Sequence, residues 1–551
     1  MISGIIDFII RVQQKGEKNR MEKKSVSLGI EDFKIVRKEC YYVDKTLLIK
    51  DIIDSPSSSF FLIARPRRFG KSLAASMLQT FFEKTDDPYD YFSDTDIERQ
   101  SSTYKDRIKK YPVVFLNFKN IISGEKNNIR KDIESAIGNE YERHGLPRPS
   151  NVENASGLLF DLTKTLYERD GQKVVVIVDE YDAPIQNTYR SCDFDDVVSF
   201  LKEIYGKAFK GNPYLEYGIC FGILKLGKET LFSGLNNALI DSPFSPLFKK
   251  EHFALTEEET RLLLSYYEME NDYEKIKENY GGYNYNGEIC FNPWSTLSFI
   301  RRFGRLDTYW SNTTNMSILN DMALSSFSKE IASLLNKERV EIKLSNASNY
   351  ANLSENKNFF FEFLVYTGYL TIVNDLGMSK YSLTIPNEEI RSIFSEEVTS
   401  SLDREMNIDT VRDAFLSGDS EKIKEYLKRI IGTSFSYFEF GDPRNYQVLM
   451  LSLTSILFND YLVKSEETAG AGRSDIILYP RNPKKVGMVI EIKAHISDIS
   501  KKKMEQSAKI ALNQIKKLEY PNRLVELGVK AIQLYGISFY KNKVCVISEA
   551  L

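Results

Sequence analysis

At 551 residues the chain is too long for a single hydrophobic core, and domains of roughly 100–200 residues imply three or four of them. A net charge of −3 excludes a global field that recruits nucleic acid, so any such contact must use local basic patches. Five cysteines with no CxxC pair, and only three histidines, argue against structural zinc and a disulfide framework and suit a reducing cytosol.

In chain order, "MISGIIDFII" (1–10) is too short to span a bilayer and lacks the basic start of a signal peptide. Met21 is a second candidate start, and no later stretch reads as transmembrane, so a cytoplasmic protein with no membrane partner is expected. "SFFLIA" (59–64) reads as a strand and "KSLAASMLQTFFEK" (71–84) as a helix. The strand-like "YPVVFLNF" (111–118) precedes a helical 127–145, and the helical 157–171 leads into the apolar "QKVVVIVDEYD" (172–182). "LEYGICFGIL" (215–224) is a further strand. Short apolar runs between helices predict an α/β domain with a parallel sheet covered on both faces, over 25–250. A mainly helical subdomain follows at 251–345, interrupted by the aromatic "YGGYNYNGEICFNPWS" (280–295), which reads as a packed hinge ahead of a base-stacking surface. The order helix, strand, turn, strand, helix over 358–390 predicts a winged-helix-like module, placed with a helical connector in 346–432. The last region, 433–551, holds an apolar helix, the strands "SDIILYP" and "VGMVIEIK", a long amphipathic helix and two closing strands.

Two constellations carry chemistry. In "ARPRRFGKSL" (64–73), Gly70-Lys71-Ser72 sits between a strand and a helix, where unpaired amides and the helix dipole suit a phosphate. The pattern is GxxxxGK[ST] with Arg65 in place of the first glycine. Arg68, Phe69, Gly70, Lys71 and Ser72 are the expected nucleotide loop, with Lys71 toward the β/γ-phosphates and Ser72 toward Mg²⁺. Asp179 and Glu180 end an apolar strand downstream, which gives Asp179 a Mg²⁺ role and Glu180 that of orienting or deprotonating the attacking water. ATP is the implied cofactor, and Asp182 either caps the next turn, the favoured reading, or joins the site.

In the tail, Asp475 starts one strand, and Glu491 and Lys493 stand two apart on the next, facing one side. A symmetric hairpin turning near Pro483 sets 475 opposite 491, so the two carboxylates are expected to share one Mg²⁺ or Mn²⁺ with Lys493 beside them. This is the D…ExK pattern of PD-(D/E)XK nucleases. Arg481, Lys484, Lys485, Lys501, Lys502, Lys503, Lys516 and Lys517 flank it and suit sequence-independent phosphate contact.

"YYVDKTLLIKDI", "RPRRFGKSL", "VDEYDAPI", "GKETLFSGLNN", "YNYNGEICFNPWS" and "YLTIVNDLGMSKYSLTIPNEEI" together resemble a bacterial AAA-ATPase-like family often coupled to a PD-(D/E)XK nuclease-like tail. The resemblance runs from about Leu28 to the last strands, and in that family the arginine-rich loop is the usual form. It implies an ATPase of the AAA or STAND type, a metal-dependent nuclease acting on DNA, and a role for Gln514 beside the nuclease site. The chain departs from the pattern at Phe221-Gly222, where relatives carry Thr-Gly and a following Arg and this chain has Lys225, with Lys228 as a weaker candidate. It departs again at Tyr446-Gln447, where relatives show Tyr-His; Glu439 and Glu467 are further acidic candidates. The alternative reading is a STAND-like signalling or scaffold ATPase whose nuclease-fold tail only binds nucleic acid or partners, with nucleotide-dependent oligomerisation.

Overall fold

The computed structural model describes residues 23–55, 59–121, 126–149, 155–188, 191–224, 238–248, 252–285, 287–310, 328–335, 337–343, 357–403, 408–434, 444–458, 461–469 and 472–551. Met21, Lys225, Lys228, Glu439 and the segment "GKETLFSGLNN" lie outside them. The chain divides into two compact units, Met1–Asn312 with Asn346–Ala351 and Phe363–Gly368, and Thr313–Ser345 with Asn352–Glu362 and Tyr369–Leu551.

The first unit is built on a five-stranded parallel sheet. Its strands are β1 (Phe60–Ala64), β2 (Val113–Asn117), β3 (Val174–Asp179), β4 (Leu215–Gly222) and β5 (Ala238–Asp241), in the order β2-β3-β4-β1-β5. β1 and β3 are buried along their whole length, as expected of strands covered on both faces. Alternate residues divide between the faces. Phe61, Ile63, Val175, Ile177, Ile219 and Phe221 pack toward helix α1 (Lys71–Phe82), in one core with Ala74, Leu78 and Phe81. On the other face Phe60 stacks on Phe209 of α2 (Phe194–Phe209), with ring centroids 4.6 Å apart. The ends of β1 and β3 therefore share one sheet edge, with β4 between them, where α/β sheets bind ligands. β5 was not among the expected strands. It is four residues long and only partly buried, too short for its pattern to separate it from a loop.

The aromatic stretch forms a small antiparallel sheet of β6 (Leu255–Thr256), β7 (Tyr283–Tyr285) and β8 (Glu288–Phe291), followed by α3 (Pro293–Arg301). Tyr283, Cys290 and Phe291 are buried, so this part of the segment is core, as the packed-hinge reading expects.

The order expected over 358–390 is present as α4 (Lys357–Thr367), β10 (Thr371–Gly377), β11 (Lys380–Thr384) and α5 (Glu388–Asp403), with β9 (Val340–Lys343) pairing β11. The β10–β11 turn holds Met378 and Ser379 at φ 51° and 60°, the left-handed pair of a type I′ hairpin, and Met378 is 91% exposed.

The C-terminal sheet has the order β12 (Tyr461–Ala469), β13 (Gly472–Pro480), β14 (Gly487–Ala494), β15 (Ile532–Tyr540), β16 (Lys543–Ala550). Only β14 and β15 run parallel, joined by a crossover containing α6 (Lys501–Lys517). β12 is a strand that the polar sequence "KSEETA" conceals. α6 lies on the sheet through Met504, Ala508, Ala511, Leu512 and Ile515. Gly536 of β15 makes this close approach possible, because a Cβ there would stand 2.1 Å from the Ala508 carbonyl oxygen and 2.7 Å from the Leu512 nitrogen.

Candidate functional sites

The chain leaves β1 at Ala64, turns through residues 65–70 and enters α1 at Lys71. Gly70 caps the helix at φ 81°, and Arg68 also adopts the left-handed region at φ 66°. Each arginine of the loop has a protein partner. Arg65 is buried, with Nη2 2.5 Å from Oδ2 of the fully buried Asp241 on β5 and its guanidinium 5.0 Å from the Phe253 ring centroid. Arg67 donates from Nη2 to Gln186 Oε1 at 3.0 Å. Arg68 lies 4.1 Å over the Trp294 ring of α3. Phe69 meets the Tyr283 ring edge-on at 5.0 Å, so the side chains of 68 and 69 turn toward the aromatic segment.

Lys71 is buried, and its ammonium donates to the carbonyl oxygens of Arg65 (3.1 Å) and Pro66 (3.0 Å). Burial lowers its pKa, opposed by Glu180 and Asp179 nearby. Ser72 opens α1 beside Lys71, and its hydroxyl is near enough to Asp179 to favour the ionised carboxyl. Asn117 donates to Asp179 Oδ2 at 3.3 Å, and the Glu180 N–H to Oδ1 at 3.1 Å. Burial first, and then the neighbouring Glu180, push the Asp179 carboxyl up to about 6. Glu180 turns off the strand end at φ 54°. A hydroxyl and a carboxylate close together at a helix N-terminus, beside a buried ammonium, are hard oxygen donors that fit a Mg²⁺-bound phosphate.

One expectation at this site changes. Asp182 does not cap the following turn. Its Oδ2 accepts the backbone N–H groups of Ile223 (3.1 Å) and Leu224 (2.9 Å), just past β4. Phe221, which the sequence marks as a departure from the family pattern, is fully buried with its ring 6.4 Å from that of Phe253, and its side chain offers no hydrogen bond to a phosphate.

In the C-terminal domain the β13–β14 ladder pairs Ile476 with Ile490, Ile477 with Val489 and Leu478 with Met488. Continuing that register sets Asp475 opposite Glu491, as the symmetric hairpin requires. The Ile492 N–H donates to Asp475 Oδ2 at 2.7 Å, and the Asp475 N–H reaches Glu491 Oε2 at 3.4 Å. Glu491 is 3% exposed. Its Oε1 accepts from Lys493 Nζ at 3.0 Å and from Gln514 Nε2 at 2.6 Å. Burial, and then Asp475, raise the Glu491 carboxyl to about 7, against the pull of Lys493. Tyr520 went unnoticed in the sequence; it is fully buried, with its hydroxyl 3.5 Å from Gln514 Nε2. All four sequence-derived residues, Asp475, Glu491, Lys493 and Gln514, thus meet around one carboxylate pair. The pair is desolvated, hydrogen-bonded and short of positive charge, which is the condition a divalent cation relieves.

The other acidic candidates do not join them in what is described. Only the backbone of Glu467 is described, paired with Ser474. Tyr446 is buried in stacking on Phe539 at 4.7 Å, and its hydroxyl donates to the Lys541 carbonyl oxygen at 3.1 Å. Among the described residues no group of three or more His, Cys, Asp or Glu is placed to hold a metal. Arg481, Lys484, Lys485, Lys501, Lys502 and Lys503 are exposed, and Lys516 pairs with Glu549 at 2.5 Å.

Residues 27–232 match the family model described as predicted AAA-ATPase, and residues 442–549 match that of the PD-(D/E)XK nuclease superfamily. An uncharacterized protein in the vnfD 5′ region of Azotobacter chroococcum mcd 1 is 26% identical over 385 residues, covering 68% of this chain and 70% of that protein. Among solved structures, the ORC2 protein of Aeropyrum pernix in ADPNP–ADP complexes aligns at 11% identity and TM-score 0.33, covering 65% of this chain and 94% of that one. Its ADP form aligns at 10% identity and TM-score 0.29, covering 68% and 99%.

Proposed function

We propose that this chain, an AAA-ATPase-like domain joined to a PD-(D/E)XK nuclease-superfamily domain, binds and hydrolyses ATP and cuts DNA with a divalent metal under ATP control. The observation that carries the nuclease reading is the convergence of Asp475, Lys493 and Gln514 on the buried Glu491 carboxylate. Asp475 and Glu491 would hold Mg²⁺ or Mn²⁺, which supplies Lewis-acid stabilisation of the charge that develops on the phosphate. Lys493, half-buried and bonded to Glu491, positions or activates the attacking water. Gln514 fixes the Glu491 carboxylate by donating to one oxygen, and Tyr520 orients that amide in turn. The exposed lysines and Arg481 of this domain would hold the nucleic-acid backbone without reading sequence.

At the other site, Gly70, Lys71 and Ser72, with the loop backbone of Arg68 and Phe69, cradle the ATP phosphates. Ser72 and Asp179 hold Mg²⁺, and Glu180 orients or deprotonates the attacking water. The working division of the chain is the ATPase domain at 25–250, a helical subdomain at 251–345, a winged-helix-like and connector region at 346–432, and the nuclease domain at 433–551. Among the described residues the cysteines form no disulfide, and no helix is long and apolar enough to cross a membrane; the proposed setting is cytoplasmic. The test is a panel of single- and double-stranded DNA and RNA, incubated with full-length protein in Mg²⁺ or Mn²⁺, with and without ATP. Metal-dependent DNA cleavage that changes with ATP supports the proposal. Nucleotide-dependent assembly without cleavage would favour a scaffold ATPase instead.

A further inference from the structure

Beside the P-loop runs a hydrogen-bonded chain that the nucleotide chemistry above does not use. Arg67 Nη2 donates to Gln186 Oε1 at 3.0 Å, and Gln186 Nε2 donates to Asp182 Oδ2 at 2.9 Å. The same Asp182 oxygen accepts the N–H groups of Ile223 at 3.1 Å and Leu224 at 2.9 Å. The orientation of the Gln186 amide is fixed by chemistry, because a guanidinium only donates and a carboxylate only accepts. Glutamine suits this position for that reason. Glutamate would set a second carboxylate against Asp182, and an apolar side chain would break both bonds.

The far end of the chain is clamped from a second direction. The Tyr181 N–H donates to the Phe221 carbonyl oxygen at 3.0 Å, and the Tyr181 hydroxyl donates to that of Leu224. Tyr205 holds Tyr181 in place by donating to its carbonyl oxygen at 3.1 Å. Residues 181 and 182, directly after the Asp179-Glu180 pair, therefore grip the backbone that leaves β4. Asp182 is fully buried, and its other oxygen, Oδ1, has no hydrogen-bond partner among the described residues. A buried carboxylate that concentrates its donors on one oxygen is sensitive to any movement of those donors.

We infer that Gln186 and Asp182 are positioning residues that couple occupancy of the P-loop to the backbone at Ile223–Leu224, through Arg67. The inference rests on the nucleotide-binding reading given above. Phosphate in the loop attracts the Arg67 guanidinium, which donates to Gln186. A shift of that guanidinium is passed to Asp182, and from there to the two amides it holds. Coupling of this kind is reciprocal, so a looser 223–224 backbone feeds back on nucleotide affinity by the same factor.

The test combines nucleotide binding with hydrogen exchange on full-length protein, with and without Mg²⁺ and a slowly hydrolysed ATP analogue. In the wild type the analogue is expected to change exchange at the Ile223 and Leu224 amides by about fivefold or more. Gln186→Met is nearly isosteric at a half-buried position and should bind the analogue within about threefold of wild type, with that exchange response lost. Gln186→Glu, which keeps the bond to Arg67 and repels Asp182, should lose the response as well. Unchanged melting temperatures separate uncoupling from misfolding. A wild-type response that persists in both variants overturns the relay, as does a wild type that binds the analogue with no change at 223–224. A wild type that binds no nucleotide overturns the reading beneath it as well, and the binding measurement tells the two failures apart.

Discussion

Replacing Glu491 by glutamine should stabilise the metal-free protein at high pH, although the residue is placed here at the centre of a catalytic site. Unfolded, its carboxyl titrates near 4.5; folded, burial and Asp475 raise it to about 7. The folded state therefore keeps a proton that the unfolded state has lost, and stability falls as pH rises from about 4.5 to about 7, then levels off. Each pKa unit is worth about 1.4 kcal/mol, so the ionised carboxylate costs the fold about 3 kcal/mol above pH 7. Glu491→Gln keeps the shape and an oxygen for Lys493 and Gln514 while removing that charge. The assay is denaturation of EDTA-treated wild type and variant at pH 5 and pH 8, following the transition of the C-terminal domain. The expected result is a gain of up to about 3 kcal/mol for the variant at pH 8 and little difference at pH 5. Mn²⁺ should reverse the order at pH 8, because it stabilises only the protein with both carboxylates. A variant equally destabilised at both pH values would show that Glu491 is comfortable as an anion, and would remove the electrostatic case for a metal there.

Four further outcomes follow from the geometry. Lys71→Ala should abolish ATP binding, and Glu180→Gln should retain binding and stop turnover. Both are measured by titration and phosphate release, and fluorescence is a ready probe because both tryptophans pack on the P-loop: Trp294 under Arg68, and Trp310 with its Nε1 3.5 Å from the Arg67 carbonyl oxygen. Arg65→Ala leaves the fully buried Asp241 without its cation and should cost about 3–5 kcal/mol in the unfolding of the ATPase domain. Gly536→Ala drives a methyl into the backbone of α6 and should destabilise the C-terminal domain by about 1–3 kcal/mol or more, displacing Gln514 from Glu491 and lowering cleavage with it.

Local chemistry made much of this legible in the sequence. Gly70-Lys71-Ser72 after an apolar strand, and Asp179-Glu180 ending another, are patterns set by a few adjacent residues. The 475–491 pairing follows from hairpin symmetry about Pro483, and Glu491 with Lys493 from the two-residue period of a strand. Contacts between distant segments were hidden. Arg65 stands where a glycine is expected, and its meaning lies in Asp241 on a strand too short to recognise. Asp182 lies two residues after Glu180 in sequence, yet it also holds the amides of 223 and 224, which no spacing rule connects to it. Tyr520 reaches Gln514 only because α6 ends and the chain turns back beneath it. The strand β12 was missed because most of its sequence is polar, with no apolar run to mark a strand.

The central claim is that Asp475 and Glu491 form a metal-dependent phosphodiesterase site. Its most direct measurement is DNA cleavage by purified full-length protein in Mg²⁺ or Mn²⁺, compared with Asp475→Ala and Glu491→Ala prepared alongside. The account predicts cleavage by the wild type that EDTA abolishes and that both substitutions eliminate while ATP binding persists. Cleavage undiminished in both variants would contradict it.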